Sequence, residues 1–193
     1  MGPALKLPRA MTVAEFLARD APDGRIWQLF DGKPVARPLT SRTHGAMQSE
    51  IGSLIANHLN VPGGPCSVIV TPGIVPRVRA NENFRIPDLA VTRTRYETEE
   101  YDVSNPVLIV EILSPSIRAE TWQNVWSFTT IPSLREILIL SSTAIRAELL
   151  RRDSDGAWPA TATVIEAGDL VMDSIGLTVP LAAIYRTTRL ALS

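Results

Sequence analysis

Apolar residues recur along this chain with two different periods, and the switches between them mark out its elements. From Ser41 to Leu59, the residues Met47, Ile51, Leu54, Ile55 and His58 fall at helical spacing. That spacing predicts an amphipathic helix, closed by Pro62-Gly-Gly-Pro65. Upstream, Thr12-Val-Ala-Glu15 is a capping box ahead of Phe16 and Leu17, so a short helix is expected to run to Arg19. Asp31-Gly32 stands between apolar stretches within Ile26 to Arg37 and signals a hairpin turn. Ser67 to Thr71, Ile74 to Arg79 and Arg85 to Arg93 read as strands, separated by Pro-Gly and Asn-Glu-Asn turns. Tyr96 to Asn105 reads as an acidic loop. Pro106 to Leu113 is a continuous aliphatic run, the pattern of a central strand buried on both faces. A helix from Ile117 to Thr130 and a strand from Glu136 to Ser141 follow. Two further strands, Ala144 to Arg152 and Thr161 to Glu166, flank Asp153-Ser-Asp-Gly156, and Leu177 to Tyr185 reads as a strand end with a short closing helix.

The order helix, β-meander, central strand, helix, strand predicts an α/β chain of α+β-like character, with one central mixed sheet flanked by helices. At 193 residues the chain fits one domain, expected over residues 12–187. Residues 1–11 read as a loose leader in which Met11 can be the true start, and 188–193 as a tail. A hydrophobic content of 45 % is ample for a core. One cysteine, Cys66, excludes an intramolecular disulfide and a cysteine-based zinc cluster, and two histidines argue against zinc of ordinary ligand type. The N-terminal stretch has no apolar segment of signal-peptide length, and the longest apolar run is too short for a membrane span. A cytoplasmic location is therefore expected. The formal net charge of −1 advertises no polyanion partner. Of the 19 basic residues only Lys6 and Lys33 are lysines, a bias that matters once a lysine is needed.

Two acids stand out chemically. Glu111 is the one charge in Val107-Leu-Ile-Val-Glu-Ile-Leu113, where a lone carboxylate is costly unless it meets a cation or takes a proton. The two-residue period puts it on the face of Val107 and Ile109, and puts Asp88 on that of Phe84, Ile86 and Ala90. On neighbouring strands both would point into one pocket, a hard oxygen site suited to Mg²⁺. Equally, each acid can pair with an arginine such as Arg85 or Arg118. Arg77, Arg79 and Arg85, with Arg93 and Arg95, form the one basic concentration and can track a phosphate backbone. The acidic loop beside them can also neutralise it. Trp122 and Trp126 share a helix face and are expected to pack against the core or a subunit rather than line the acid pocket.

Ile86-Pro-Asp88, Val110-Glu111-Ile-Leu-Ser-Pro-Ser116 and Ile131-Pro-Ser-Leu-Arg-Glu136 occur in that order. Gln28-Leu-Phe-Asp-Gly32, Thr43-His44-Gly45 and the segment from Gly168-Asp-Leu to Ile184-Tyr185 extend the set to both ends. Together they resemble the putative restriction endonuclease family of the PD-(D/E)XK nuclease superfamily, over most of residues 11–187. The resemblance implies a restriction-endonuclease-like core and a Mg²⁺- or Mn²⁺-dependent DNA endonuclease, with Asp88 and Glu111 as metal ligands. It also implies a homodimer. His44 matches a family histidine, and Glu50 corresponds to an accessory acid of some related nucleases. The superfamily's lysine, two positions after the glutamate, is Leu113 here. In this family it commonly sits in the next helix. Aligning backwards from Ile131-Pro-Ser133 puts Glu120 on that helix's aspartate, Asn124 on the lysine and Phe128 on its tyrosine. No lysine follows Lys33, and Arg118 would need a different geometry to replace one. Three functions stay open: a weak endonuclease, an inactive relative serving as a nucleic-acid-binding or protein-interaction module, and another metal or small-molecule role for the same acids.

Overall fold

The N-terminal segment is fixed by its caps and its turn. A computed structural model describes residues 9–19, 24–60, 66–95, 97–115 and 118–192. Helix α1 (Val13–Leu17) carries the expected capping box, Thr12 with Glu15. Strands β1 (Trp27–Phe30) and β2 (Lys33–Ala36) pair across Asp31 and Gly32, at φ 45° and 76°. Both turn residues are left-handed, the conformation that matches the twist of a two-residue hairpin. Gly32 is doubly constrained, because an added Cβ would lie 2.4 Å from that of Ala10. Of the expected leader, residues 1–8 lie outside the described residues. The N–H of Met11 donates to the Gly32 carbonyl at 3.0 Å, so the described end of that segment is held against the hairpin.

Helix α2 (Arg42–Leu59) starts at Ser41, whose hydroxyl accepts from the His44 N–H. A six-stranded sheet follows, in the order β3-β4-β5-β6-β7-β8. Its strands are β3 (Ser67–Val70), β4 (Leu89–Thr92), β5 (Pro106–Leu113), β6 (Glu136–Ser141), β7 (Ala147–Arg151) and β8 (Thr163–Ile165). All neighbours are antiparallel except β5 and β6, which run parallel and are joined by helix α3 (Arg118–Phe128). The mixed sheet with flanking helices is thus the predicted architecture.

Each face of the sheet has its own core. Met47, Ile51 and Ile55 of α2 pack on Leu89, Val91, Leu108, Val110, Leu138 and Leu140. The hairpin β9 (Asp169–Met172) and β10 (Leu177–Pro180), with the 3₁₀ turn Leu181–Tyr185, closes the same side. On the other face, Val125 and Phe128 of α3 pack on Ala90, Ile109, Ile137, Ile139 and Leu150. Strand β5 is sealed from both sides, which is why its sequence shows no alternation.

Two expectations need correction. The strand expected over Ile74–Arg79 reduces to single bridges near Gly73 and Ile74, followed by a turn. Pro76 lacks a ladder donor, the Arg77 N–H goes to Thr130 Oγ1, and Asn83 Nδ2 takes the Val78 carbonyl. Strand β9 is visible in the sequence only as part of the closing segment. Its burial alternates over four residues, too short a pattern to stand out in sequence.

Candidate active site

Strand β5 runs on past the start of β4, and that offset builds the site. The ladder between them begins at Leu89 and Val110, so the N–H of Ile112 lies beyond the last backbone partner on β4. Asp88, the residue just ahead of β4, takes it with Oδ2 at 2.6 Å. The backbone N–H of Asp88 also lies close enough to Glu111 to favour its charged form. The Asp88 carbonyl accepts from the Thr71 N–H and from Gln48 Nε2, each at 2.9 Å. Upstream, Gln28 Oε1 accepts the Ile86 N–H and Gln28 Nε2 donates to Glu120 Oε1. The Ile-Pro-Asp segment is thereby tied to α2, β5 and α3, and Asp88 has little freedom to move.

Both carboxylates are buried, Asp88 at 1 % and Glu111 at 3 % exposure, yet they differ electrostatically. Asp88 Oδ1 accepts from His44 Nε2 at 2.9 Å and from Arg37 Nη2 at 3.0 Å. Burial pushes its carboxyl up, but the His44 hydrogen bond and charge, Arg37 and the Ile112 N–H outweigh burial and hold it below the usual carboxylate value. Among the described residues, Glu111 has no such counter-charge in contact. Burial, then the neighbouring Asp88 charge, push it well above the ordinary value, against weaker help from Arg37, Asn124 and the Asp88 N–H. Asn124 Nδ2 reaches Glu111 Oε1 at 3.4 Å, and Asn124 Oδ1 is buried with no hydrogen-bond partner.

The other expected residues divide. His44 lies in the site, bonded directly to Asp88, and Asn124 faces Glu111. Glu120 is one residue removed, held by Gln28. Glu50 faces elsewhere: its Oε2 pairs with Arg186 Nε at 2.7 Å. Arg118 is exposed in the first turn of α3. Neither it nor Arg85 pairs with either acid; Arg37 pairs with Asp88, and nothing about its place after the hairpin marked it out in the sequence. Arg85 was expected at a surface for nucleic acid, but it is 5 % exposed and stacked on the Phe30 ring at 3.3 Å from the centroid. Burial lowers its pKa to about 10, opposed by Asp31 and Glu120. Arg77 and Arg79 are exposed on a turn rather than along one face of a strand, and Arg79 pairs with Asp31 at 3.5 Å. Trp122 packs partly on the α3 side of the core, with Trp126 stacked against it at 6.0 Å and 49 % exposed.

A cavity of about 620 Å³ opens onto Asp88, lined by Arg25, Ile26, Arg37, Gln48 and Thr71 among others. A smaller one of about 120 Å³ lies across Arg37, against Ser41, His44 and Ser114. Arg37 thus borders both openings and Asp88. A carboxylate offers about four acceptor positions. Three of those on Asp88 are taken, leaving one on Oδ2, and among the described residues Glu111 uses one, on the long Asn124 contact. Among the described residues, no three His, Cys, Asp or Glu side chains converge as a metal cage. Two carboxylates and an amide suit a hard cation that completes its shell with water and phosphate, the habit of Mg²⁺, and do not suit zinc.

Comparison with known proteins bears on the family and the fold. A family model described as "Putative restriction endonuclease" (Uma2) matches residues 13–182. A protein of Synechocystis sp. (strain ATCC 27184 / PCC 6803 / Kazusa), described as uncharacterized, is 29 % identical over 189 residues, covering 95 % of each chain. The crystal structure described as a putative nuclease belonging to DUF820, from Anabaena variabilis ATCC 29413, has a TM-score of 0.73 at 16 % identity. It covers 91 % of this chain and 98 % of that one, and the two share the fold.

Proposed function

The chain belongs to the Uma2 family, described as "Putative restriction endonuclease", and from that premise we propose that it is a divalent-metal-dependent DNA endonuclease. The observation that carries this reading is the convergence of Asp88 and Glu111 beside a cavity edged by arginine, with Glu111 buried and lacking a cation in contact. Asp88 and Glu111 would hold Mg²⁺ or Mn²⁺. The ion, when bound, supplies Lewis acidity to the scissile phosphate and makes water a usable nucleophile at neutral pH. His44 is a positioning residue, fixing Asp88 through Nε2, and Gln48 does the same through the backbone carbonyl. With no lysine available, we assign the stabilisation of developing negative charge to Arg37, whose guanidinium borders both the acid and the cavity. Arg25 and Arg37 are the backbone phosphate contacts this cavity offers. The catalytic unit is taken as residues 12–187, with 1–11 and 188–193 outside it, and as a homodimer that presents one site to each strand.

Arg37 also favours a second reading. Its charge already balances Asp88, and a protonated Glu111 would add no negative charge that needs an ion. Such a site belongs to an inactive relative that keeps the fold as a nucleic-acid-binding or protein-interaction module. Plasmid nicking in Mg²⁺ or Mn²⁺, run beside Asp88→Ala and Glu111→Ala, decides between them. Slow nicking that both substitutions and chelation abolish supports the nuclease. An inert protein that binds no divalent ion by calorimetry supports the inactive relative.

A further inference from the structure

We infer that Asn124 is an oxygen ligand of the divalent cation, so that the position aligned with the family's lysine contributes a coordinating carbonyl in place of a charge. The inference rests on the metal-dependent reading above. Asn124 lies on the buried side of α3, 5 % exposed, next to the end of β5. Its amide is poorly used by the protein. The Nδ2 bond to Glu111 Oε1 is 3.4 Å long, beyond the usual 2.7–3.2 Å range, and Oδ1 has no partner. Buried acceptors are rarely left unspent, and one left beside an acid without a cation points to a ligand. Arg37 makes its ion pair with Asp88 and not with Glu111.

Geometry agrees. A half-turn of the amide about Cβ–Cγ exchanges nitrogen and oxygen and would put Oδ1 near the present Nδ2 position, 3.4 Å from Glu111 Oε1. Adjacent oxygens of an octahedral shell lie about 3 Å apart at Mg²⁺ bond lengths and about 3.4 Å apart at Ca²⁺ bond lengths. The two side chains can therefore share one ion with no more than a small shift. With the open position on Asp88 Oδ2, the protein offers three oxygens and two negative charges. The remaining shell is left to water and substrate phosphate. A lysine at position 124 would bring its ammonium into that shell, whereas asparagine joins it.

The test is Mn²⁺ binding to the full chain, followed by calorimetry and by electron paramagnetic resonance, with folding checked by circular dichroism. Asn124→Leu keeps the approximate volume and removes the oxygen, and is expected to weaken Mn²⁺ binding at least tenfold. Asn124→Asp restores an oxygen with a charge, and is expected to bind as tightly as the native chain or tighter. Carbonyl-¹³C asparagine labelling should add a ¹³C coupling to the bound-Mn²⁺ spectrum, lost in Asn124→Leu. Native affinity in Asn124→Leu, or weakened binding in Asn124→Asp, overturns the ligand assignment while leaving the metal-dependent reading standing. If Asn124→Leu fails to fold, the aspartate variant and the label still decide. A native chain that binds no Mn²⁺ overturns both.

Discussion

Glu111 is an acid placed where a free negative charge is expensive, and the stability of the protein should record it. Its folded pKa lies well above that of the unfolded chain because of burial and the Asp88 charge. The folded state therefore holds this proton to higher pH than the unfolded state does. The resulting stability is full below the ordinary carboxylate pKa and is lost as pH rises through the folded value. Urea denaturation in chelator from about pH 4 to about pH 8 should show this decline. Glu111→Gln should flatten it, and Mg²⁺ should reverse it in the native chain alone. Asp88 has the opposite sign: its lowered pKa contributes stability above the ordinary value, lost only as pH falls through the folded one. Arg37→Ala removes the guanidinium from a nearly buried pair, its side chain 12 % exposed against 2 % for Asp88. Because His44 stays, a loss on the order of 2–3 kcal/mol is expected in chelator, below the 3–5 typical of a fully broken buried pair. Cleavage should fall by about 10²–10³, the usual cost of one transition-state group, with Mn²⁺ binding retained.

At the scale of elements, α3 does two jobs with one helical period. Thr121, Asn124, Val125 and Phe128 face inward, while Trp122 and Trp126 form a stripe along its flank. Phe128, which the alignment sets on the family's tyrosine, has no exposure and fills the core against the sheet. Phe128→Ala should cost about 3–5 kcal/mol in urea denaturation and loosen the helix that carries Asn124. Trp126→Ala should cost less than about 1 kcal/mol, since half of the ring is in solvent. Equal losses for the two would mean that Trp126 is covered in solution, and the homodimer is the cover to test first, by sedimentation.

For the whole molecule, a net charge of −1 means that attraction to DNA must be local. Arg85 is buried, and the turn carrying Arg77 and Arg79 makes no stripe, so the arginines that line the cavity beside Asp88 are Arg25 and Arg37. Each neutralised phosphate lowers the logarithm of affinity by about 0.9 per decade of salt. Two contacts predict a loss of only about tenfold in duplex affinity per site between about 50 and 200 mM salt. Fluorescence anisotropy with a short duplex measures this directly. A fall of about 10³ or more would mean a basic surface other than this cavity.

The element types, the mixed sheet and the family were legible in sequence because each rests on local or ordered signals. The two-residue period gave each acid a face without saying that the strands are neighbours, and a capping box, an Asp-Gly turn and an uninterrupted aliphatic run marked three elements. The same local rules failed at Ile74–Arg79, where prolines and side-chain hydrogen bonds took the ladder donors. What only tertiary structure decided is how the acids are served. Arg37 meets Asp88 across 51 residues, and the stacking of Arg85 on Phe30 joins separate segments as well. The Asn124 amide was placed opposite the acids by alignment, but its unspent oxygen depends on what the rest of the fold leaves unpaired. No period or motif encodes such contacts. They follow from chain closure, and closure is where a row of isolated charges becomes a site with one carboxylate balanced by arginine and the other buried beside it.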